Sequence, residues 1–374
     1  MRRCETQELV KITVEKKSGM CSCGDKTSLL PYTTRRLESS LRSMSKSTNA
    51  TMVPRGAYEF LDKKETRAHL IEQYDNFLFD CDGVLWSGST VLPGVVSFFQ
   101  KLRERRKRIL FVSNNASKSR RTLLERINAM GIDGCEDEVF SSAYATAAYL
   151  KDVLRFPTDR KAYVVGMNGL EDELDANGIQ HIGGTDEQDC QGLDGLDFSP
   201  LASKDALDPS VAAVICGIDT RFSYRKLAKA FRYITRPGAD GEVRAGEQNG
   251  GCHFVCTNED VTFPSSEGLF PGAGAVWKGI QVSSGRDPIV VGKPHQPMID
   301  TIFARFAFDK SRTLMVGDRL DTDIAFGQRG GIDTLLVLTG ISALEHVHAS
   351  DAAAVPTYVV NGLCDLDTAL SCDA

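Results

Sequence analysis

Asp80-Cys81-Asp82-Gly83 closes the apolar run Phe77-Leu78-Phe79. In extended backbone, residues i and i+2 project to the same side, so both carboxylates can face one ligand while Cys81 points elsewhere. Phosphate-ester cleavage calls for such a pair, one carboxylate to attack phosphorus and a second acid to protonate the departing alkoxide. Gly83 would let the backbone turn sharply after the pair. An isolated Asp-x-Asp is more often a turn or a solvated pair, so the motif gains its weight from company. Ile109-Leu110-Phe111-Val112 stops at Ser113, Ile289-Val290-Val291-Gly292 at Lys293, and Leu314-Met315-Val316-Gly317 at Asp318.

A carboxylate approaching a phosphate sets like charges together; at about 4 Å and an effective dielectric near 20 each pair costs about 4 kcal/mol. A cation is needed. Asp318 is a plausible Mg²⁺ ligand beside Asp80 and the Asp82 carbonyl. Lys293 adds fixed positive charge, and Ser113 with the Asn114 and Asn115 amides can hold phosphoryl oxygens. Asp321 reads as a helix cap.

Short, nearly continuous aliphatic runs are what strands look like in a parallel sheet covered on both faces, and such sheets bind ligands at the carboxyl ends of their strands. The four runs are therefore expected to share one rim. From Tyr74 the pattern alternates strand and helix, which implies an α/β fold with a doubly wound, Rossmann-like parallel sheet. Ser113 and Lys293 lie 180 positions apart, whereas a crossover unit takes about 30 residues. A second α/β domain, a cap, is expected to be inserted there. The expected division is an extension over 1–68, core over 69–156, cap over 157–284 and core again over 285–374. Residues 183–208 and 236–251 read as loops within the cap. Gly272-Ala273-Gly274 lacks the third glycine of a dinucleotide fingerprint, and Phe263-Pro264 before it makes a poor strand.

Residues 1–55 hold 11 Lys and Arg against 5 Asp and Glu, while the rest holds 33 against 45. An acidic body argues against a nucleic-acid partner, and no apolar run approaches the roughly 20 residues of a membrane span. The basic, Ser-rich leader has features of an organelle transit peptide, against which its glutamates count; a disordered extension on a cytoplasmic protein is the simpler expectation. Eleven scattered cysteines read as reduced thiols. Cys252-His253-x-x-Cys256 has no second pair at zinc-site spacing. Cys81, between the two working carboxylates, raises a hypothesis of oxidative inhibition, against which burial would count.

In order and spacing these motifs resemble the haloacid dehalogenase superfamily of phosphatases, with an insertion similar to the class-two cap. The nearest resemblance is to its phosphoglycolate, 4-nitrophenyl and pyridoxal phosphatase group. It is carried by Phe79 to Trp86, Ser113 to Arg120, Thr257 to Asp260 with Phe263-Pro264, and Met315 to Ile324. The resemblance implies Asp80 as nucleophile, Asp82 as acid and then base, and Asp80, Asp82 and Asp318 as the Mg²⁺ site. It implies phosphate binding by Ser113, Asn114, Asn115 and Lys293, with Asp323 in support. Phe263 matches the cap position that faces substrate, where relatives carry His or Leu. The implied substrate is a small phosphorylated metabolite, 2-phosphoglycolate first, and a homodimer through the cap is implied as well. A phosphomutase, a dehalogenase and a non-catalytic phospholigand-binding protein are the competing readings.

Overall fold

The computed structural model describes residues 58–370 except 196, 203–205, 237–251 and 266. The leader through residue 57 and most of the 236–251 stretch therefore lie outside the described residues. The chain first lays down β1 (Glu59–Phe60), β2 (Asn76–Phe79), a hairpin of β3 (Trp86–Ser87) and β4 (Thr90–Val91), then β5 (Arg108–Ser113) and β6 (Val139–Ser141). The middle supplies β7 (Lys161–Val165), β8 (His181–Gly183), β9 (Val211–Cys216), β10 (His253–Cys256), a hairpin of β11 (Thr262–Ser265) and β12 (Gly268–Pro271), and β13 (Ile289–Val290). The end returns with β14 (Thr313–Gly317), β15 (Asp333–Val337) and β16 (Tyr358–Val360).

Two parallel sheets result. The first runs β1-β16-β15-β14-β2-β5-β6 and the second β13-β10-β9-β7-β8. Side chains alternate across the first sheet as strand geometry requires. Phe77 and Phe79 join Phe98, Phe99 and Phe111 on one face, whereas Leu78, Leu110 and Val112 enter a different cluster on the other. With both faces covered, the strands read as unbroken apolar runs, and the fold is the expected doubly wound α/β type. Burying each such Phe contributes about 1.5–3 kcal/mol. The second cluster also takes in Val164, Ile215 and Val255 from the second sheet. Helix Ser142–Ala148, buried at every residue, packs there, its alanines permitting close approach.

Four expectations need correction. The Ile289 run does not join the first sheet; β13 pairs with β10 in the second, Val255 opposite Ile289 and Cys256 opposite Val290. An aliphatic run reads alike in either sheet, because periodicity reports burial and not the neighbouring strand. Order also begins before residue 69. Glu59 and Phe60 pair with Tyr358 and Val359, and helix Lys64–Gln73 buries Leu70 and Ile71, a contribution too short to show as a sustained pattern. Phe263 and Pro264 do form a strand, since an antiparallel hairpin partner follows at once. The 183–208 stretch, expected as a loop, contains short helices at Glu187–Cys190 and Ser199–Ala202. No helix among the described residues is long and apolar enough to cross a membrane.

Candidate active site

β14, β2 and β5 are neighbours in the first sheet, and their carboxyl ends deliver Asp318, Asp80 and Ser113 to one rim. Cys81 turns into the core while Asp80 and Asp82 face a cavity of roughly 380 Å³. Gly83 makes the turn with φ +79, and a Cβ there would lie 2.5 Å from Asp318 Oδ2. Ser113, Asn114, Asn115, Lys293, Asp318 and Phe263 line the same cavity.

Lys293 arrives from the second sheet. Val291 and Gly292 donate to the Cys256 and Thr257 carbonyls, extending the β13 pairing, and the next peptide crosses to the first sheet, where Lys293 N donates to Asn114 Oδ1 at 2.9 Å. Its Nζ donates to Asp80 Oδ1 at 2.6 Å, the Val112 carbonyl at 2.8 Å and Asp323 Oδ1 at 2.8 Å. An ammonium has three protons, and all three are engaged. Burial opposes the charge, but Asp323 and Asp80 outweigh it and hold the lysine well above its ordinary range. Lys293 in this arrangement serves Asp80 directly rather than standing free for phosphate.

Asp323, whose helix follows β14, is an organiser. Its Oδ1 takes Lys293, while its Oδ2 accepts from the Asp318 and Arg319 amides at 3.2 and 3.1 Å. Carboxylate oxygens of Asp80, Asp318 and Asp323 all lie within 4.8 Å of one another. Burial first, then Asp323, raises the Asp318 carboxyl to about 7. Burial likewise raises Asp80, against the pull of Lys293. Asp318 Oδ2 accepts from the Ile341 amide at 2.7 Å, whereas its buried Oδ1 has no partner among the described residues. Three clustered carboxylates against one ammonium, with one buried oxygen unsatisfied, is a donor set that fits a hard divalent cation.

Asn114 links the layers. Its Nδ2 donates to both Asp260 oxygens at 3.1 Å and to the Lys293 carbonyl at 3.0 Å, and its carbonyl accepts from Ser142 Oγ and Asn258 Nδ2. That side chain is spent on holding β5 to the segment after β10. Ser113 Oγ accepts from the Asn115 amide at 3.1 Å, and Asn115 Oδ1 closes a local turn with Ser117. Burial raises the Asp260 carboxyl, with Arg319 opposing. Asp260, Arg126 and Arg319, all on the cavity wall, drew no role from the sequence; Asp260 could have been found from its position four residues beyond β10, the same strand-end logic that picks out Asp80. Phe263 sits on β11 with its ring 6.2 Å from that of Phe270. Burial, reinforced by Asp80 and Asp82, pushes the Cys81 thiol well up, leaving little thiolate to oxidise.

A model described as haloacid dehalogenase-like hydrolase matches residues 77–180, and a second, HAD-hydrolase-like, matches 290–366. A 4-nitrophenylphosphatase of Schizosaccharomyces pombe is 43% identical over 79% of this chain and 94% of its own length. The chain belongs to the haloacid dehalogenase-like hydrolases. A chloroplastic phosphoglycolate phosphatase 1A of Arabidopsis thaliana is 36% identical over 80% of this chain and 78% of its own. Among solved structures, a glycerol phosphate phosphatase from Mycobacterium tuberculosis in complex with magnesium has a TM-score of 0.63 and 28% identity, covering 79% of this chain and 77% of that one. This family member is a phosphoric monoester hydrolase.

Proposed function

We propose that the chain hydrolyses small phosphomonoesters through an aspartyl-phosphate on Asp80, with 2-phosphoglycolate the leading substrate and 4-nitrophenyl phosphate an artificial one. One observation carries the reading: the Asp80 carboxylate, held by Lys293 at 2.6 Å, shares a cavity with Asp82 and with the unpartnered Asp318 oxygen. An Asp80 oxygen bonds to phosphorus as the ester P–O bond breaks, and Asp82 gives its proton to the departing alkoxide. Asp82 then takes a proton from water, whose oxygen attacks phosphorus; the Asp80–phosphorus bond breaks and inorganic phosphate leaves.

The Asp80 and Asp318 side chains with the Asp82 carbonyl would hold Mg²⁺, which when bound supplies the positive charge that lets an anionic nucleophile meet an anionic phosphoryl group. Asp323 orients Lys293 and the Asp318 amide, and Lys293 aims Asp80 and opposes the burial that favours its protonation. Ser113, Asn114 and Asn115 close the phosphate side of the cavity. The second sheet acts as the cap, excluding bulk water and selecting the leaving group. Phe263 lends an aromatic wall, which supports pyridoxal phosphate as the second reading. The exposed Val261, Leu269 and Phe270 around the β11–β12 hairpin support a homodimer through the cap. A cytoplasmic enzyme is the simplest placement, with the chloroplastic relative supporting organelle targeting as the alternative.

The test is turnover of a panel of phosphorylated metabolites with and without Mg²⁺, in wild type and Asp80→Asn. Wild type should release phosphate only with the metal, with 2-phosphoglycolate giving the highest kcat/KM. Asp80→Asn should bind substrate by calorimetry yet form no phosphoenzyme. An inactive wild type that still binds phosphorylated ligands would instead support the non-catalytic reading.

A further inference from the structure

We propose that Trp86 is a positioning residue for the acid–base step: its indole N–H fixes the Asp82 carboxyl so that the mobile proton sits on the oxygen left free for the leaving group. The inference rests on the reading of Asp82 as acid and base. Trp86 Nε1 donates to Asp82 Oδ1 at 2.8 Å. An indole nitrogen only donates, and a carboxylic acid accepts more strongly at its C=O oxygen than at its O–H oxygen, so the bond to Oδ1 favours the form of Asp82 that carries its hydrogen on Oδ2. The proton belongs on Oδ2, which has no protein partner among the described residues, in a half-buried side chain that lines the cavity.

Trp86 is itself immobilised. It is fully buried, and its carbonyl accepts from the Gly83 amide at 2.8 Å, closing the turn that begins at Asp82. The β3–β4 hairpin pairs it with Val91. On the open face of the ring, the Arg126 guanidinium stands 4.3 Å from the centroid and donates to the Gly88 carbonyl. A cation over an indole face covers the ring and draws density from it, which strengthens the N–H as a donor. Every group that orients the indole thus comes from outside the reacting atoms.

Trp86→Phe keeps the ring and removes the donor. Alkyl esters such as 2-phosphoglycolate release a basic alkoxide that must be protonated, whereas 4-nitrophenolate leaves without a proton. We expect kcat/KM, which reports only the steps up to phosphoenzyme formation, to fall by about tenfold or more for the alkyl esters and by less than about twofold for 4-nitrophenyl phosphate. Equal losses on both classes would overturn the inference. Asp82→Asn is the reference: if it shows no dependence on leaving group, the acid–base reading fails and takes this inference with it. If Asp82→Asn shows that dependence and Trp86→Phe does not, the inference alone fails. A second measurement needs no folded Trp86 variant. The chain has two tryptophans, and Trp277 Nε1 donates to the Asn258 carbonyl at 2.9 Å, so ¹⁵N-labelled protein should give two protected indole resonances, assigned with Trp277→Phe. Asp82→Ala should move the Trp86 resonance upfield and speed its exchange with solvent; an unmoved, protected resonance would overturn the contact.

Discussion

Asp318 concentrates the electrostatic tension of the site. It is nearly fully buried, faces Asp323, and has one oxygen with no partner among the described residues. Its carboxyl titrates near 7 instead of 3.8, so the metal-free folded state holds a proton that the unfolded chain releases at lower pH. A raised acid makes the folded state relatively less stable as pH rises, the loss beginning near the ordinary carboxylate value and completing above about 7. Metal-free protein should therefore lose stability between about pH 4 and pH 7, by something on the order of 2–4 kcal/mol if no other group compensates. Mg²⁺ should restore it, raising Tm more at pH 8 than at pH 5.5. Asp318→Asn should invert the pattern, with a metal-free Tm at pH 8 at or above wild type, no response to Mg²⁺ and no turnover. Calorimetric melts with and without the metal decide it. Gly340 shows how tightly the position is built: a Cβ there would lie 1.9 Å from Asp318 Oδ2.

At the scale of elements, the site depends on a join between sheets that hydrophobic pattern does not announce. Lys293 belongs by pairing to β13 of the second sheet and by function to β2 of the first, and Asn114 holds the crossing with its amide and carbonyl groups. Asn114→Ala removes those bonds together with the two to Asp260. At about 1 kcal/mol for each net bond, and more where a carboxylate accepts, it should cost about 2–4 kcal/mol in urea unfolding and reduce kcat by tenfold or more, about as much as loosening Lys293 allows. Unchanged stability would mean that the crossing is held elsewhere. The sequence made β2, β5 and β14 legible because apolar runs end there at residues whose chemistry is explicit. It could not assign β13 to a sheet, since burial on both faces looks the same in either. It also hid the Asn114–Asp260 clamp, whose partners stand 146 residues apart, and helix Ser142–Ala148, where four alanines among Ser142, Tyr144 and Thr146 carry no amphipathic signature. The strand-end pattern assigns phosphate binding to the Asn114 backbone amide; the engagement of its side chain by another element is visible only in three dimensions.

At the scale of the whole molecule, two parallel sheets of the described residues meet over one cavity, and that cavity limits what can react. The first sheet supplies Asp80, Asp82 and Asp318; the other wall includes Met167, Ile218, Thr220 and Phe263 from segments that follow or border strands of the second. Roughly 380 Å³ is at the small end for ligand sites, room for a three-carbon phosphate or a single aromatic ring but not for folded protein. The two sheets also share one buried apolar cluster, so a large substrate could enter only by giving up packed surface, at about 25 cal/mol for each Å² exposed. Phosphoserine peptides should therefore be turned over at least about a hundredfold less efficiently than 2-phosphoglycolate, the ratio that a penalty near 3 kcal/mol produces. Phe263 is a wall residue whose size can be changed without touching the reacting carboxylates. Phe263→Ala should raise KM for the smallest esters, narrow the gap to bulkier ones, and leave the Mg²⁺ response of Tm unchanged. Comparable kcat/KM for peptide and small ester in the wild type would show that the two sheets do not confine the substrate, and the assignment of leaving-group choice to the second sheet would fall with it.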